Sequence, residues 1–102
     1  MVLNIPPGLE SLLPRFIAEM VADGALVERL AGGDRRVLAE HVHAMRGKCS
    51  MFGAEGLFAL LSELERMAPL GPREEIDRMV DRIGAMVEAL RGAENLWPGG
   101  TP

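Results

Sequence analysis

Proline and glycine divide this chain into four segments of helical length, and this punctuation limits the possible folds more than any other feature of the sequence. The breaks fall at Gly32-Gly33, at Gly53 and between Pro69 and Pro72, and no segment between them alternates apolar and polar residues as a strand does. Short connections favour antiparallel packing of neighbouring helices. The pattern therefore predicts an all-α fold, an antiparallel up-down four-helix bundle.

The first predicted helix begins near Glu10 or Ser11 and ends at Gly32-Gly33. It tolerates Pro14 because an amide in the first turn of a helix has no intrahelical acceptor. Its apolar residues recur at helical spacing: Leu9, Leu12, Leu13, Phe16, Ile17, Met20, Val27 and Leu30.

Asp34 is the expected N-cap of the second helix, which runs to about Phe52. The third helix covers about residues 54–67, and the fourth begins at Pro72 and is capped by Gly92. In terms of domains, residues 1–8 are an N-terminal lead, residues 9–92 form the bundle, and the Pro- and Gly-rich residues 93–102 are a flexible C-terminal tail.

Size and composition limit the function classes. A chain of 102 residues holds one domain, and its net charge of −4, without a cluster of Lys or Arg, argues against nucleic acid as a partner. No apolar run is long enough to cross a bilayer, the first ten residues lack the features of a signal peptide, and the single cysteine cannot form an internal disulfide. A cytoplasmic protein, expected to be monomeric, is predicted.

His43 lies on the face of the second predicted helix opposite its apolar stripe. The stripe is centred on Leu38 and consists of the residues within about 40° of it at roughly 100° per residue: Val42, Met45, Cys49 and Phe52. His43 lies about 140° from Leu38, so its side chain is expected to project into solvent.

Small residues flank this histidine along the helix. Ala39 and Gly47 lie one turn before and after His43, and Ser50 shares the outer face. A glycine inside a helix costs about 1 kcal/mol relative to alanine, so Gly47 requires a reason. Steric access is such a reason, because a small neighbour lets another protein approach the imidazole.

The chemistry available on this face is nucleophilic. Neutral imidazole has a free ring nitrogen that can form a covalent phosphoryl intermediate. Arg46 lies on the neighbouring edge of the helix, where its guanidinium can reach a phosphoryl oxygen on His43. No second catalytic group is visible, which fits a carrier whose partners supply the carboxylate and the metal ion.

The chain resembles histidine-containing phosphotransfer (HPt) domains of two-component phosphorelays in the run HAMRGKCSMFGAEGL, residues 43–57. The matching elements are the histidine, the basic residue three positions on, the glycine after it, Gly53-Ala54 and the leucine stripe that continues to Glu65. The similarity covers roughly residues 12–91.

This resemblance implies a phosphorelay intermediate. His43 would be the phosphoacceptor, and Arg46 stands where lysine is usual, which keeps the charge but changes the geometry. The implied partners are response-regulator receiver domains, whose aspartates donate and accept the phosphoryl group, and a hybrid sensor kinase. No cofactor, no metal and no autonomous kinase activity are expected.

Other residues have less specific interpretations. His41 lies near the edge of the buried stripe and is expected to be partly buried and structural; it points about 200° away from His43, so the two cannot share a metal ion. Cys49 is expected to be a small buried apolar residue. Phe58 either closes the bundle or offers an apolar contact to a docking receiver.

Two alternative functions stay open. The first is the phosphoacceptor hairpin of a histidine kinase, although such hairpins usually carry an acidic residue directly after the histidine, where this chain has Ala44. The second is a helical adaptor in which His43 has no chemical role. Incubation with a phosphorylated receiver separates these possibilities.

Overall fold

The computed structural model describes residues 3–93, which form four helices and no strand. A short 3₁₀ turn, Glu10–Leu12, leads into α1. The helices are α1 (Leu13–Ala31), α2 (Arg35–Met51), α3 (Glu55–Met67) and α4 (Arg73–Ala93). Each helix packs against the next through a short turn, and α4 packs against α1. The predicted up-down four-helix bundle is confirmed.

The helix ends agree with the sequence at the start of α2 and differ slightly in α4. Asp34 caps α2, and its Oδ1 accepts hydrogen bonds from the backbone amides of Arg36 at 2.8 Å and Val37 at 3.4 Å. Pro72 lies just before α4 instead of inside its first turn. The helix also continues past Gly92, the expected cap, because one glycine weakens a helix without ending it. Apart from Ala93, the tail predicted for residues 93–102 lies outside the described residues.

The core is apolar and includes the stripe predicted on α2. Leu38, Val42, Met45 and Cys49 are fully buried, and the Phe52 ring stacks on that of Phe16 with 4.4 Å between centroids. Within residues 3–93 no polar or charged residue is buried. The opposite face of α2 is therefore left to solvent, and that is the face that carries His43.

Shortening Met45 should destabilise the bundle strongly. Its side chain is fully buried, so Met45→Ala removes apolar contacts and leaves a cavity, with an expected loss of roughly 2–5 kcal/mol in the free energy of unfolding. Chemical denaturation followed by circular dichroism measures this loss. A change below about 0.5 kcal/mol, typical of surface positions, would show that α2 is rotated away from the orientation described.

The N-terminal segment lies across the turn between α2 and α3. The amide of Asn4 donates a hydrogen bond to the carbonyl of Gly53 at 3.2 Å, and Leu3, Ile5 and Leu9 pack against the core. Gly53 has a φ of 65°, and a Cβ at this position would collide with the backbone of Asn4. Glycine is therefore required here both by the turn and by the crossing segment.

No helix within residues 3–93 combines the length and the apolar character that spanning a membrane would need.

Candidate functional site

His43 projects from the middle of α2 into solvent, as the helical periodicity predicts. Its side chain is 71% exposed, whereas Val42 beside it is fully buried. The imidazole is therefore accessible to a second protein without any rearrangement of the bundle.

One ring nitrogen of His43 is bound to a carboxylate from the neighbouring helix. Nδ1 lies 3.1 Å from Oε2 and 3.3 Å from Oε1 of Glu65, which projects from α3. An ionised carboxylate can only accept hydrogen bonds, so Nδ1 must carry the proton that it donates. In neutral imidazole the other nitrogen, Nε2, then holds a free lone pair on a largely exposed ring.

The Glu65 carboxylate also binds Arg46. A terminal guanidinium nitrogen of Arg46 donates to Glu65 Oε1 at 2.6 Å, and the guanidinium carbon lies 4.9 Å from the centroid of the Phe58 ring. Glu65 thus bridges His43 and Arg46. Arg46 is therefore held on the carboxylate beside His43.

The contacts with Arg46 and His43 favour the ionised form of Glu65. The hydrogen bond from Arg46 is the largest influence and lowers the pKa of Glu65, with a smaller contribution in the same direction from His43, against an opposing effect of partial burial. The ion pair with Arg46 and the hydrogen bond from His43 are therefore lost as the pH falls through the lowered pKa of this carboxyl, because protonation removes the charge that both partners bind.

The residues predicted to give access to His43 occupy two different environments. Gly47 and Ser50 are exposed, and a Cβ built on Gly47 would meet no other atom within 4 Å. The fold itself therefore does not require a glycine at position 47.

Ala39 does not belong to the outer face as expected. It lies on the edge of α2 that faces α3, so it is partly buried and packs against the core. Phe58 is also partly buried and packs against the core, beneath Arg46.

The opposite edge of α2 is bound to α1 and contains no part of this site. His41 Nε2 donates to the carbonyl of Asp23 at 3.1 Å, which confirms the structural role predicted for it, and Lys48 Nζ lies 3.0 Å from the Asp23 carboxylate.

Burial raises the pKa of the Cys49 thiol to about 12, so it behaves as an apolar residue. Over residues 3–93, His, Cys, Asp and Glu side chains form no group of three or more that could hold a metal ion.

Sequence reasoning gave no role to Glu65, although one signal was available. Glu65 follows Phe58 by seven residues, which places both side chains within about 20° of each other on α3, on the edge that faces α2. A polar residue at that position lies within reach of the histidine on the adjacent antiparallel helix.

An apolar depression of about 290 Å³ lies between the start of α1 and the end of α2. It is lined by residues of the α1 start and the α2 end, including Leu12, Phe16, Met51 and Phe52. Leu12 and Met51 are unusually exposed for large apolar side chains, at 43% and 57%. Met51 lies about 12 Å along the helix axis from His43, a distance that one interface of standard size can span.

The Hpt domain family model matches residues 11–93, most of the chain. The match includes all four helices, the exposed His43 and its partner Glu65. Comparison with curated proteins and with solved structures gives no match. The family match over the whole bundle shows that the chain belongs to the Hpt domain family.

Proposed function

We propose that this chain is a phosphorelay intermediate. It accepts a phosphoryl group on Nε2 of His43 from the aspartyl phosphate of a receiver domain, or from a hybrid sensor kinase that carries one, and passes it to the aspartate of another receiver. Membership in the Hpt family points to phosphotransfer in two-component signalling. The observation that supports His43 as the acceptor is its hydrogen bond to Glu65, which leaves Nε2 free on an exposed ring.

The acceptance step is a nucleophilic displacement at phosphorus. The lone pair of Nε2 forms the nitrogen–phosphorus bond as the bond between phosphorus and the aspartyl oxygen breaks, and the electron pair leaves with the aspartate as a carboxylate. Nδ1 keeps its proton, so the ring becomes positively charged. Return transfer reverses these changes with the aspartate of the second receiver as the nucleophile.

Glu65 is placed to support this charge change. Its carboxylate lies 3.1 Å from Nδ1 and is only 27% exposed, so it faces the positive charge that the ring acquires when Nε2 is phosphorylated. Arg46 lies on the other oxygen of the same carboxylate. After transfer, its guanidinium lies close enough to the imidazole to contact a phosphoryl oxygen, as its position beside His43 on the helix suggests.

The outer face of α2 suits a protein donor better than a small molecule. His43, Gly47 and Ser50 are exposed, and an apolar depression lies between the end of α2 and the start of α1. The imidazole is 71% exposed, so a partner that carries the aspartyl phosphate and the metal ion has direct access to it. This arrangement favours a carrier over an enzyme with a site of its own.

The alternative of a kinase hairpin is less well supported. Such a hairpin contributes two helices, whereas the four helices of this chain form a bundle with one shared core. The adaptor alternative leaves the hydrogen bond between Nδ1 of His43 and Glu65 without a role. Phosphotransfer is the function that uses both the four-helix bundle and this hydrogen bond.

Incubation with a phosphorylated receiver tests the proposal. A receiver domain labelled with radioactive acetyl phosphate should transfer its label to this chain, and the bond formed should be labile in acid and stable in alkali, as a phosphoramidate is. A label stable in acid would indicate a phosphoserine ester, for example at Ser50, and would contradict the proposed chemistry. If a panel of receivers and direct treatment with phosphoramidate both fail to label the folded chain, the adaptor alternative is favoured.

A further inference from the structure

We infer that Phe58 and Arg46 are positioning residues that together decide which nitrogen of His43 carries the proton. The Phe58 ring holds the Arg46 guanidinium, the guanidinium holds the Glu65 carboxylate, and the carboxylate holds the proton on Nδ1. This inference rests on the proposed function and deepens it, because it identifies what keeps Nε2 available as the nucleophile.

The contact between Arg46 and Phe58 is the first step. The guanidinium carbon lies 4.9 Å from the ring centroid, within the roughly 6 Å over which a cation and an aromatic face attract each other. Among the buried side-chain nitrogens and oxygens of the described residues, Arg46 Nε is the one without a hydrogen-bond partner. The guanidinium is therefore held by its hydrogen bond to Glu65 and by the Phe58 ring, on which its face packs.

The contact between Arg46 and Glu65 is the second step. Phe58 and Glu65 lie on the same edge of α3, so a guanidinium that rests on the ring has its terminal nitrogen directed toward the carboxylate, 2.6 Å from Oε1. Glutamate has several rotamers and loses entropy when it is held in one. Because Arg46 already holds the carboxylate, the hydrogen bond to His43 requires less additional ordering.

The geometry depends on arginine, and not merely on a positive charge at position 46. A guanidinium is planar, stacks on an aromatic face and can bind a carboxylate at the same time, whereas a lysine ammonium is a strongly hydrated point charge that does not stack in this way. Arg46 stands where lysine is usual in the resembling domains, and here it lies on an aromatic ring. Phe58 and Arg46 are therefore expected to depend on each other.

The tautomer of His43 is the direct readout. Nitrogen-15 spectra of the unphosphorylated chain, recorded at a pH at which the imidazole is neutral, distinguish a proton on Nδ1 from one on Nε2. The Nδ1–H form should predominate in the parent chain. Phe58→Leu and Arg46→Lys should each raise the ratio of the Nε2–H form to the Nδ1–H form by about two- to fivefold, the factor expected for an exposed cation–π contact.

Two further variants serve as controls. Phe58→Tyr keeps an aromatic face and should retain the tautomer ratio of the parent chain. Lys48→Ala removes a cross-helix ion pair from the same helix, but that pair joins Lys48 to Asp23 at 3.0 Å and does not touch His43. It should leave the ratio unchanged. Circular dichroism establishes that each variant is folded, and if Phe58→Leu is not, Arg46→Lys and Phe58→Tyr still decide the question.

Transfer rates separate this inference from its alternatives. Phe58→Leu and Arg46→Lys should slow acceptance from a phosphorylated receiver in proportion to the fall in the fraction of the Nδ1–H form, which is a smaller change than that in the tautomer ratio because this form predominates in the parent chain. Slower transfer with an unchanged tautomer ratio would overturn the inference and would make Phe58 a contact for the receiver. If the parent chain accepts no phosphoryl group at all, the proposed function fails, while the tautomer spectra still report whether Phe58 and Arg46 position the imidazole.

Discussion

Replacing His43 with glutamine is expected to abolish phosphoryl acceptance while the bundle stays folded. The His43 side chain is 71% exposed and contributes nothing to the core, so its removal should not change the helical content. The reaction, in contrast, loses its nucleophile, because the glutamine amide has no lone pair comparable to that of Nε2. Radioactive labelling from a phosphorylated receiver and circular dichroism, measured on the same preparation, test both parts of the expectation.

His41→Gln is the matched control for this experiment. His41 is also a histidine of α2, but its Nε2 is bound to the carbonyl of Asp23 and its ring faces α1. The variant should accept label at the rate of the parent chain even if it is slightly less stable. Persistent labelling of His43→Gln, or mass spectrometry that locates the phosphoryl group on His41 or Ser50, would disprove the assignment of His43.

Enlarging Gly47 is expected to stop transfer without harming the fold. A Cβ at this position meets no atom of the chain within 4 Å, and leucine favours a helix over glycine by up to about 1 kcal/mol, so Gly47→Leu should melt at the temperature of the parent chain or higher. The leucine side chain would stand one turn from His43, on the surface where a receiver has to approach. Acceptance should therefore collapse, and Gly47→Ala should be affected less.

Gly92→Leu is a suitable control because the chain offers a second glycine in the same situation. Gly92 is exposed, lies in a helix and has no atom within 4 Å of a built Cβ, but it belongs to α4, which makes no close contact with α2. Leucine at position 92 should leave transfer unchanged. Normal transfer by Gly47→Leu would mean that receivers do not approach His43 over this turn, and the steric explanation of Gly47 would be wrong.

Local patterns in the sequence predicted the helices and the orientation of α2 correctly. Helical periodicity depends on residues within a few turns of each other, so Leu38, Val42 and Met45 are enough to show which face is buried and that His43 lies opposite. The Asp34 cap is equally local. The end of α4 was less well predicted, since a single glycine such as Gly92 changes helix stability by only about 1 kcal/mol.

The contact between His43 and its partner depends on two helices, so the periodicity of α2 alone does not identify that partner. The turn at Gly53 lies ten residues after His43, and ten residues after Gly53 the chain reaches Glu63. Glu65 lies two positions further along α3. Both are acidic. In the structure Glu63 pairs with Arg66 on the exposed side of α3, and Glu65 reaches His43 and Arg46. The helical wheel of α3 places Glu63 opposite the leucine stripe and Glu65 on the edge shared with Phe58, but only the packing of α3 against α2 brings that edge to His43.

Packing between α2 and α3 also decided the environments of Ala39, Phe58 and Arg46. Ala39 was expected on the outer face but lies partly buried, because α3 covers that edge of α2. The two interpretations of Phe58 could not be separated from the sequence, and the structure shows that it packs on the core and carries the Arg46 guanidinium. Arg46 was expected to face a phosphoryl group, and in the unphosphorylated chain it is bound to Glu65.

The sequence by itself determined four helices, an apolar stripe on each, and an exposed histidine with a glycine one helical turn after it, because these features depend on the spacing of neighbouring residues. The tertiary structure decided that Glu65 holds Nδ1 of His43 and that Phe58 supports Arg46. Those contacts join residues up to 22 positions apart. Their formation depends on the distance and rotation between two helices and on side-chain rotamers, and the periodicity of a single helix contains neither.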